Sequence, residues 1–543
     1  MPVYFYGKGS AQERFQFWLA NLPEALAIDV ETVSIQERIP LGFAIAFSGE
    51  EAFYFQVYPE PPPELQLLKP LLCNPAVRKV AHNMMFDLGI LPTIPFLEQV
   101  DRSNLWDTSI AARLLGREIA DLPYLANTEL NMQVTSAREL LGQGKTMLDI
   151  EPMVLAEKCQ QDAKACFALY LNYLPQIESQ HASSFRVDMA VMPILIDMSQ
   201  KGLAIDKAAR DALAIKYTGE MEFYRRQVES FGVDNPGSSR QTGYILAKRG
   251  NFLPLTRGRK QLSTREAELE FLDDPMAAAV LGYRKNAKFK GTYLDPLENE
   301  DYFYSEYYID TSVGRLSSRN RNIQNIPPDA RHMILPNNGC FTGADYSQEH
   351  LRILMHFSGD REMRRVYEDG AYGGDIHKFT ADELKISRHL AKTINYAIAY
   401  GATAKTISEQ AKIKDRHICE RLLDNWFRTF KGAADWITYA QREGVRDGWA
   451  LPTLFGRRIK LPAENEDAMR RKATNFPILG SDGEVIKRAI LLCADRGLGP
   501  PILAITIHDS LVFDGDVELP VEELEMIPTF RIPIEVKKTI HWE

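Results

Sequence analysis

The chain has 543 residues, 45% hydrophobic and 25% charged, with a net charge of −9 and a pI near 5.7. That length predicts two to four domains with sizeable cores; no run reaches the ~18 uninterrupted apolar residues of a membrane span, and the N-terminus MPVYFYGKGSAQERFQF has the layout of neither a secretory signal nor a transit peptide. The acidic balance runs against the basic footprint of nucleic-acid-binding domains, although a local basic groove can coexist with an acidic total where carboxylates gather to hold metal ions.

Six cysteines, Cys73, Cys159, Cys166, Cys340, Cys419 and Cys493, form no CxxC pair. Neither a disulfide framework nor a structural zinc site is expected, and a reduced, cytoplasmic setting without membrane attachment is.

In chain order, LAIDVETVS, LGFAIAF and EAFYFQV within 26–57 read as strands. Helical patterns such as NLWDTSIAARLLG follow, which predicts one α/β domain over residues 1–185. Asp29 and Glu31 lie two apart on a predicted strand, so both side chains take one face. Two carboxylates so close repel, and a shared divalent cation relieves the repulsion. Asn83 and Asp87 are four apart, one turn of a predicted helix, and Asp162 sits on a third, helical segment. Asp107, before an apolar-periodic run, reads as a helix N-cap.

Asp-x-Glu followed by two distant aspartates resembles the DEDD exonucleases, and the segment resembles the proofreading domain of family A polymerases. The resemblance implies a ribonuclease-H-like fold in which Asp29, Glu31, Asp87 and Asp162 hold two metal ions for 3′→5′ hydrolysis. The family usually has a water-orienting Tyr four residues before the last Asp; Lys158 stands there. The expectation is a complete carboxylate cage and a slower exonuclease.

Residues 187–300 read as mostly helical, interrupted at 233–264 by a Gly-, Pro-, Ser- and basic-rich stretch that is either a DNA-facing tip or a solvated loop. From residue 300 strands and helices alternate. Asp345 ends a short apolar strand and precedes a helix, and His508-Asp509-Ser510 reads as a tight hairpin between two β-rich runs. Two aspartates at strand ends can meet over one sheet, as two-metal phosphoryl transfer requires. Between them Arg388, Lys392, Tyr396 and Tyr400 recur every four residues, one helical face with cations for phosphates and rings for a base. GATAKTIS at 401–408 lacks the glycine before the lysine and follows a helix, so it is not a phosphate loop.

DYSQEHLR, R-x3-K-x3-Y-x3-YG and HD resemble motifs A, B and C of family A polymerases, and TSVGRLSSRNRNIQNIP resembles the family's primer–template-gripping segment. DIHKFTADEL, TLFGRRIKLP and RRKATNFPILGSDGEVIKRA match further segments in order, so the resemblance to bacterial DNA polymerase I and its Klenow fragment spans nearly the whole chain. It implies a right-hand polymerase domain over 186–543, with a thumb at about 200–300, fingers at about 360–440 and the palm from the rest. Asp345 and Asp509 would be the metal-binding catalytic pair. Arg388 and Lys392 would bind the triphosphate with His377 assisting, and Tyr396 and Tyr400 would contact the nucleotide and the templating position. Arg315, Gln324, Asn325, Arg471, Asn475 and His508 would contact DNA. Two Mg2+ ions per centre, with Mn2+ as a substitute, would serve a monomer acting on primer–template DNA and deoxynucleoside triphosphates, with replication accessory proteins as further partners. The family's 5′-nuclease domain is not expected in this chain. Replication and repair, in a phage-infected or a bacterial cell, both remain open as settings.

Four departures bear on mechanism. His350 replaces the glutamate that blocks the ribose 2′-hydroxyl, with Glu349 one place earlier, which predicts weaker ribonucleotide exclusion. Tyr396 stands where many members have Phe, which predicts ready use of dideoxynucleotides. Ser510 replaces a glutamate after His-Asp, and Leu479 a glutamine that reaches the DNA. Among competing readings, the QNIP-type segment and proofreading domain oppose a single-subunit RNA polymerase. The paired aspartates with Arg388 and Lys392 oppose a binding protein with a decayed site, and an exonuclease on a large scaffold is separable by primer extension.

Overall fold

The apolar run around Asp29 forms the middle of a six-stranded sheet in the computed structural model, which describes residues 3–6, 11–141, 145–256, 258, 260–413, 415–462 and 465–542. Its strands are β1 (Val3–Tyr6), β2 (Ala25–Thr32), β3 (Pro40–Ala46), β4 (Ala52–Gln56), β5 (Arg78–Ala81) and β6 (Leu105–Asp107), in the order β1-β4-β3-β2-β5-β6. β2, β3 and β4 form an antiparallel meander, while β5 and β6 run parallel to β2. Parallel neighbours require crossovers, and helix α1 (Met84–Ile90) lies in the one between β5 and β6. Asp107 starts α2 (Thr108–Leu114) as the sequence predicts, accepting from Ser109 N at 2.7 Å and Ile110 N at 3.1 Å. Leu26, Ala27, Phe43 and Ile45 are fully buried, as befits strands covered on both faces, and helix α3 (Pro152–Gln180) crosses β2 to β5.

The chain breaks at His181 and continues as α4 (Ala182–Gln200), so position 185 lies inside a helix rather than in a linker. Phe185 of α4 meets Trp106 of β6 at 4.9 Å between ring centroids. One turn on, Asp188 faces the C-terminal half. There it pairs with Arg457 at 2.6 Å and with Lys487, and Glu484 completes the cluster by accepting from Ser184 at 2.9 Å. Four charges of balanced sign are buried together here, because each ion loses less when its partner is desolvated with it.

Helices α5 (Lys207–Ser230), α6 (Ser239–Lys248) and α7 (Pro275–Phe289) follow. α5 and α7 pack together, with Tyr217 stacked on Phe289 at 3.8 Å. The stretch 233–264 is therefore not loop throughout. Ser238 caps α6, whose Leu246 is buried in a small separate core with Val228, Val233 and Met276. Tip positions 257 and 259 lie outside the described residues.

The second sheet comprises β7 (Phe341–Tyr346), β8 (Leu503–Ile507), β9 (Ser510–Asp514) and β10 (Ile534–Thr539), antiparallel in the order β8-β9-β7-β10. Around it stand α8 (Glu349–Ser358), α9 (Ile376–Leu384), α10 (Arg388–Ala399), α11 (Lys431–Asp447) and the 30-residue α12 (Glu466–Asp495). Gly483 of α12 lies against the Val313–Arg315 segment: a Cβ there would stand 2.9 Å from Arg315 Cα, so a side chain would push Arg315 away.

Candidate functional site

At the N-terminal centre, β2 presents Asp29 and Glu31 on one face toward α3, which supplies Lys158 and Asp162 one turn apart. Asp87 of α1 reaches the same place, its Oδ1 accepting from Val30 N at 3.0 Å. Asn83 is not on that helix: it precedes α1 in a left-handed conformation, φ 66°. Burial, then the charges of Asp162 and Glu31, pushes the Asp29 carboxyl well above the ordinary range; burial, then Asp29, does the same to Asp87. The four acids are thus one electrostatic unit. Asp29 Oδ2 and Asp162 Oδ1 are buried without a hydrogen-bond partner, and ligand atoms of Asp29, Glu31 and Cys159 lie within 4.8 Å of one another. Hard carboxylate oxygens fit a divalent cation. Burial pushes the Cys159 thiol up, and its Sγ donates to Asp29 O at 3.3 Å, so it is a poor ligand beside them.

One cation is already in place. Lys158 Nζ sits 2.5 Å from Glu31 Oε1 and 2.7 Å from Asp162 Oδ2, with the lysine side chain only 8% exposed. Burial opposes its charge, but Glu31 and Asp162 outweigh burial and hold the ammonium well above its usual value.

At the C-terminal centre, Asp345 ends β7 and Asp509 lies in the two-residue turn between β8 and β9. Tyr346 N donates to Asp509 O at 3.0 Å, and the β7–β9 register sets Asp345 opposite Ser510, whose Oγ donates to Asp345 Oδ2 at 2.5 Å. Both aspartates line one cleft. Burial, then Asp345 and Asp482, pushes the Asp509 carboxyl up to about 6. Among the described residues no lysine or arginine pairs with either aspartate, so the repulsion is left for a divalent cation to relieve, and the carboxylate pair fits one.

Tyr396 of α10 and Tyr400 beyond it lie close enough to Asp509 to feel its charge. Arg388 and Lys392 are exposed, Arg388 pairing with Asp375 at 2.7 Å. Tyr396 is half-buried on the helix, while Tyr400 is its C-cap and lies just past it. His377, on α9, is buried: Asn395 Nδ2 lies 3.0 Å from its Nδ1, burial lowers it to about 4, so the ring is neutral, and it lies tilted against Tyr396 with 5.6 Å between ring centroids. His350 Nδ1 lies 2.6 Å from the Tyr400 hydroxyl, and its Nε2 lies 3.4 Å from Asp482 Oδ1. Asp482 Oδ2 in turn lies 2.5 Å from Arg315 Nε. Glu349 is fully buried, and burial, then Asp482 and Asp509, raises its carboxyl well above the ordinary range.

Arg315, Gln324, Leu479, Asp482 and His508 line a second, adjoining cleft. Asn325 and Arg471 are exposed outside that lining, and Asn475 Oδ1 is buried without a partner. Asp482 is the residue that sequence reasoning missed. Its signal was an acid set between Gly480 and Gly483 on α12, two places before a second acid, Glu484.

The profile of DNA polymerase family A matches residues 211–531. The chain belongs to DNA polymerase family A. A 3′-5′ exonuclease profile matches residues 10–178 of this family A chain, the part built on the first sheet. It is 28% identical to DNA polymerase I of Chloroflexus aurantiacus (96% of this chain, 60% of that protein) and 26% identical to that of Pseudomonas aeruginosa (93% and 61%). Thermostable DNA polymerase I of Thermus aquaticus is 29% identical over 65% of this chain and 47% of its own length. The chain thus spans about 60% of the length of the first two relatives. The solved POL domain of Pol1 from M. smegmatis, in complex with DNA primer-template and dNTP, shares the fold: TM-score 0.79, 22% identity, 97% of each chain covered. Family A polymerases are metal-dependent, and both acidic centres of this member have the oxygen ligands such ions take.

Proposed function

We propose that this chain copies a DNA template from deoxynucleoside triphosphates in its C-terminal centre and trims 3′ ends in its N-terminal centre. The observation that carries the reading is the meeting of Asp345 and Asp509 at adjacent strand ends, unpaired by any lysine or arginine among the described residues, with Tyr396 and Tyr400 close enough to feel the Asp509 charge. Two Mg2+ or Mn2+ ions on these carboxylates would activate a primer 3′-hydroxyl and stabilise the departing pyrophosphate.

The chain's own side chains do the positioning. Arg388 and Lys392, exposed on α10, meet the triphosphate, while Tyr396 and Tyr400 offer ring faces to the base. Neutral His377 orients Tyr396 and adds no charge. Arg315, Gln324 and His508 line the cleft that the duplex would occupy, with Asn325, Arg471 and Asn475 as outer contacts. His350 is the steric gate for the sugar, and Asp482, reached by both His350 and Arg315, is a positioning residue for that gate. The exonuclease domain is assigned to residues 1–185 and the polymerase domain to 186–543. The relatives named DNA polymerase I and the neighbour bound to primer-template and dNTP support these substrates.

Primer extension on a primed DNA template tests the reading, with each nucleotide set in turn and an Asp509→Ala control. Extension with deoxynucleotides that vanishes in the control is expected. Trimming without extension would reduce the C-terminal half to a scaffold.

A further inference from the structure

Both centres are clusters of acids, but only one has a buried cation inside the ligand set. Lys158 extends from α3 between two of the four carboxylates, and its ammonium contacts one oxygen of each, Glu31 Oε1 at 2.5 Å and Asp162 Oδ2 at 2.7 Å. Those oxygens cannot bind a divalent ion while Nζ is there: like charges would stand within a few ångströms, in a site too buried for water to screen them. The remaining unpartnered oxygens are Asp29 Oδ2 and Asp162 Oδ1, and of these two only Asp29 Oδ2 belongs to a carboxylate that the ammonium does not contact.

We propose that Lys158 is a resident counter-ion that takes the place of one divalent cation, leaving the N-terminal centre with capacity for a single ion, held through Asp29. The lysine satisfies part of the cage permanently, so the folded centre needs less metal to neutralise it than four unpaired carboxylates would. Among the described residues its ion-pair contacts are Glu31 and Asp162, and Asp29 is the next charge it feels.

The inference rests on the nuclease reading of this centre, but its test uses no DNA, so the two can fail separately. The count is the number of Mn2+ ions per chain that Asp29→Asn removes, read by the paramagnetic resonance signal of free Mn2+ in an Asp345→Asn/Asp509→Asn background. One ion is expected with Lys158 and two with Lys158→Met. In parallel, Mn2+ should raise the melting temperature of Lys158→Met more than that of the lysine-bearing protein, because the variant's cage has lost its internal cation. Two ions, or none, with Lys158 in place would overturn the proposal, as would one ion in both proteins. If Lys158→Met does not fold, the count on the lysine-bearing protein decides alone. Loss of trimming with a count of one would sink the nuclease reading and leave the counter-ion in place.

Discussion

The N-terminal and C-terminal centres solve one electrostatic problem in different ways. Each brings aspartates from separate segments into a partly dry site, where burial raises the carboxyls of Asp29 and Asp509. At the first, Lys158 closes part of the charge from within the fold. At the second, Asp345 has a hydroxyl partner in Ser510 and, among the described residues, no lysine or arginine partner. An acid cluster therefore does not by itself reveal metal demand; the nearest buried cation sets it.

The largest break in this comparison should come from Asp509→Ala. Loss of a ligand that supplies several kcal/mol of transition-state stabilisation should cut extension by about 10³-fold or more, with 3′ trimming unchanged in the same preparation. Asp188→Ala acts on the joint between the two halves. Removing one member of this buried cluster, which strands Lys487 and Arg457, should destabilise by about 3–5 kcal/mol, seen as a lower thermal midpoint or a split melt. Equal melts would mean that the cluster relaxes without loss.

Smaller effects sharpen the contrast. His350→Ala should lower deoxy-over-ribonucleotide discrimination by about 10²-fold, the scale at which a pocket rejects an added hydroxyl, measured as the ratio of kcat/KM values. Asp482→Asn should lower it less, raising selectivity loss mainly through the ribonucleotide KM with deoxynucleotide kcat retained; a uniform fall in kcat would mark a structural role instead. Tyr396→Phe should reduce dideoxynucleotide use by about tenfold, one hydrogen bond's worth, in a chain-termination assay.

Much of this was legible in the chain. Period-two alternation placed Asp29 and Glu31 on one strand face, the apolar runs around His508-Asp509 gave the hairpin, and Asp107 was recognisable as a cap. Motif spacing identified α10 and its cations. Less was legible where local composition and tertiary packing disagree. The Gly- and Ser-rich stretch after residue 233 hid α6, because Leu246 is buried in a cluster that draws in Val228 and Met276, remote in sequence. That burial leaves His377 neutral was not legible from its spacing in the chain.

By itself the sequence determined which residue types were available at each strand end and helix turn, since those depend on backbone periodicity alone. The tertiary structure decided which charges meet. Lys158 is 127 residues from Glu31, and Asp482 is 132 from His350, so both pairings depend on how whole elements pack. Charge energies vary with distance and burial, neither of which spacing along the chain supplies.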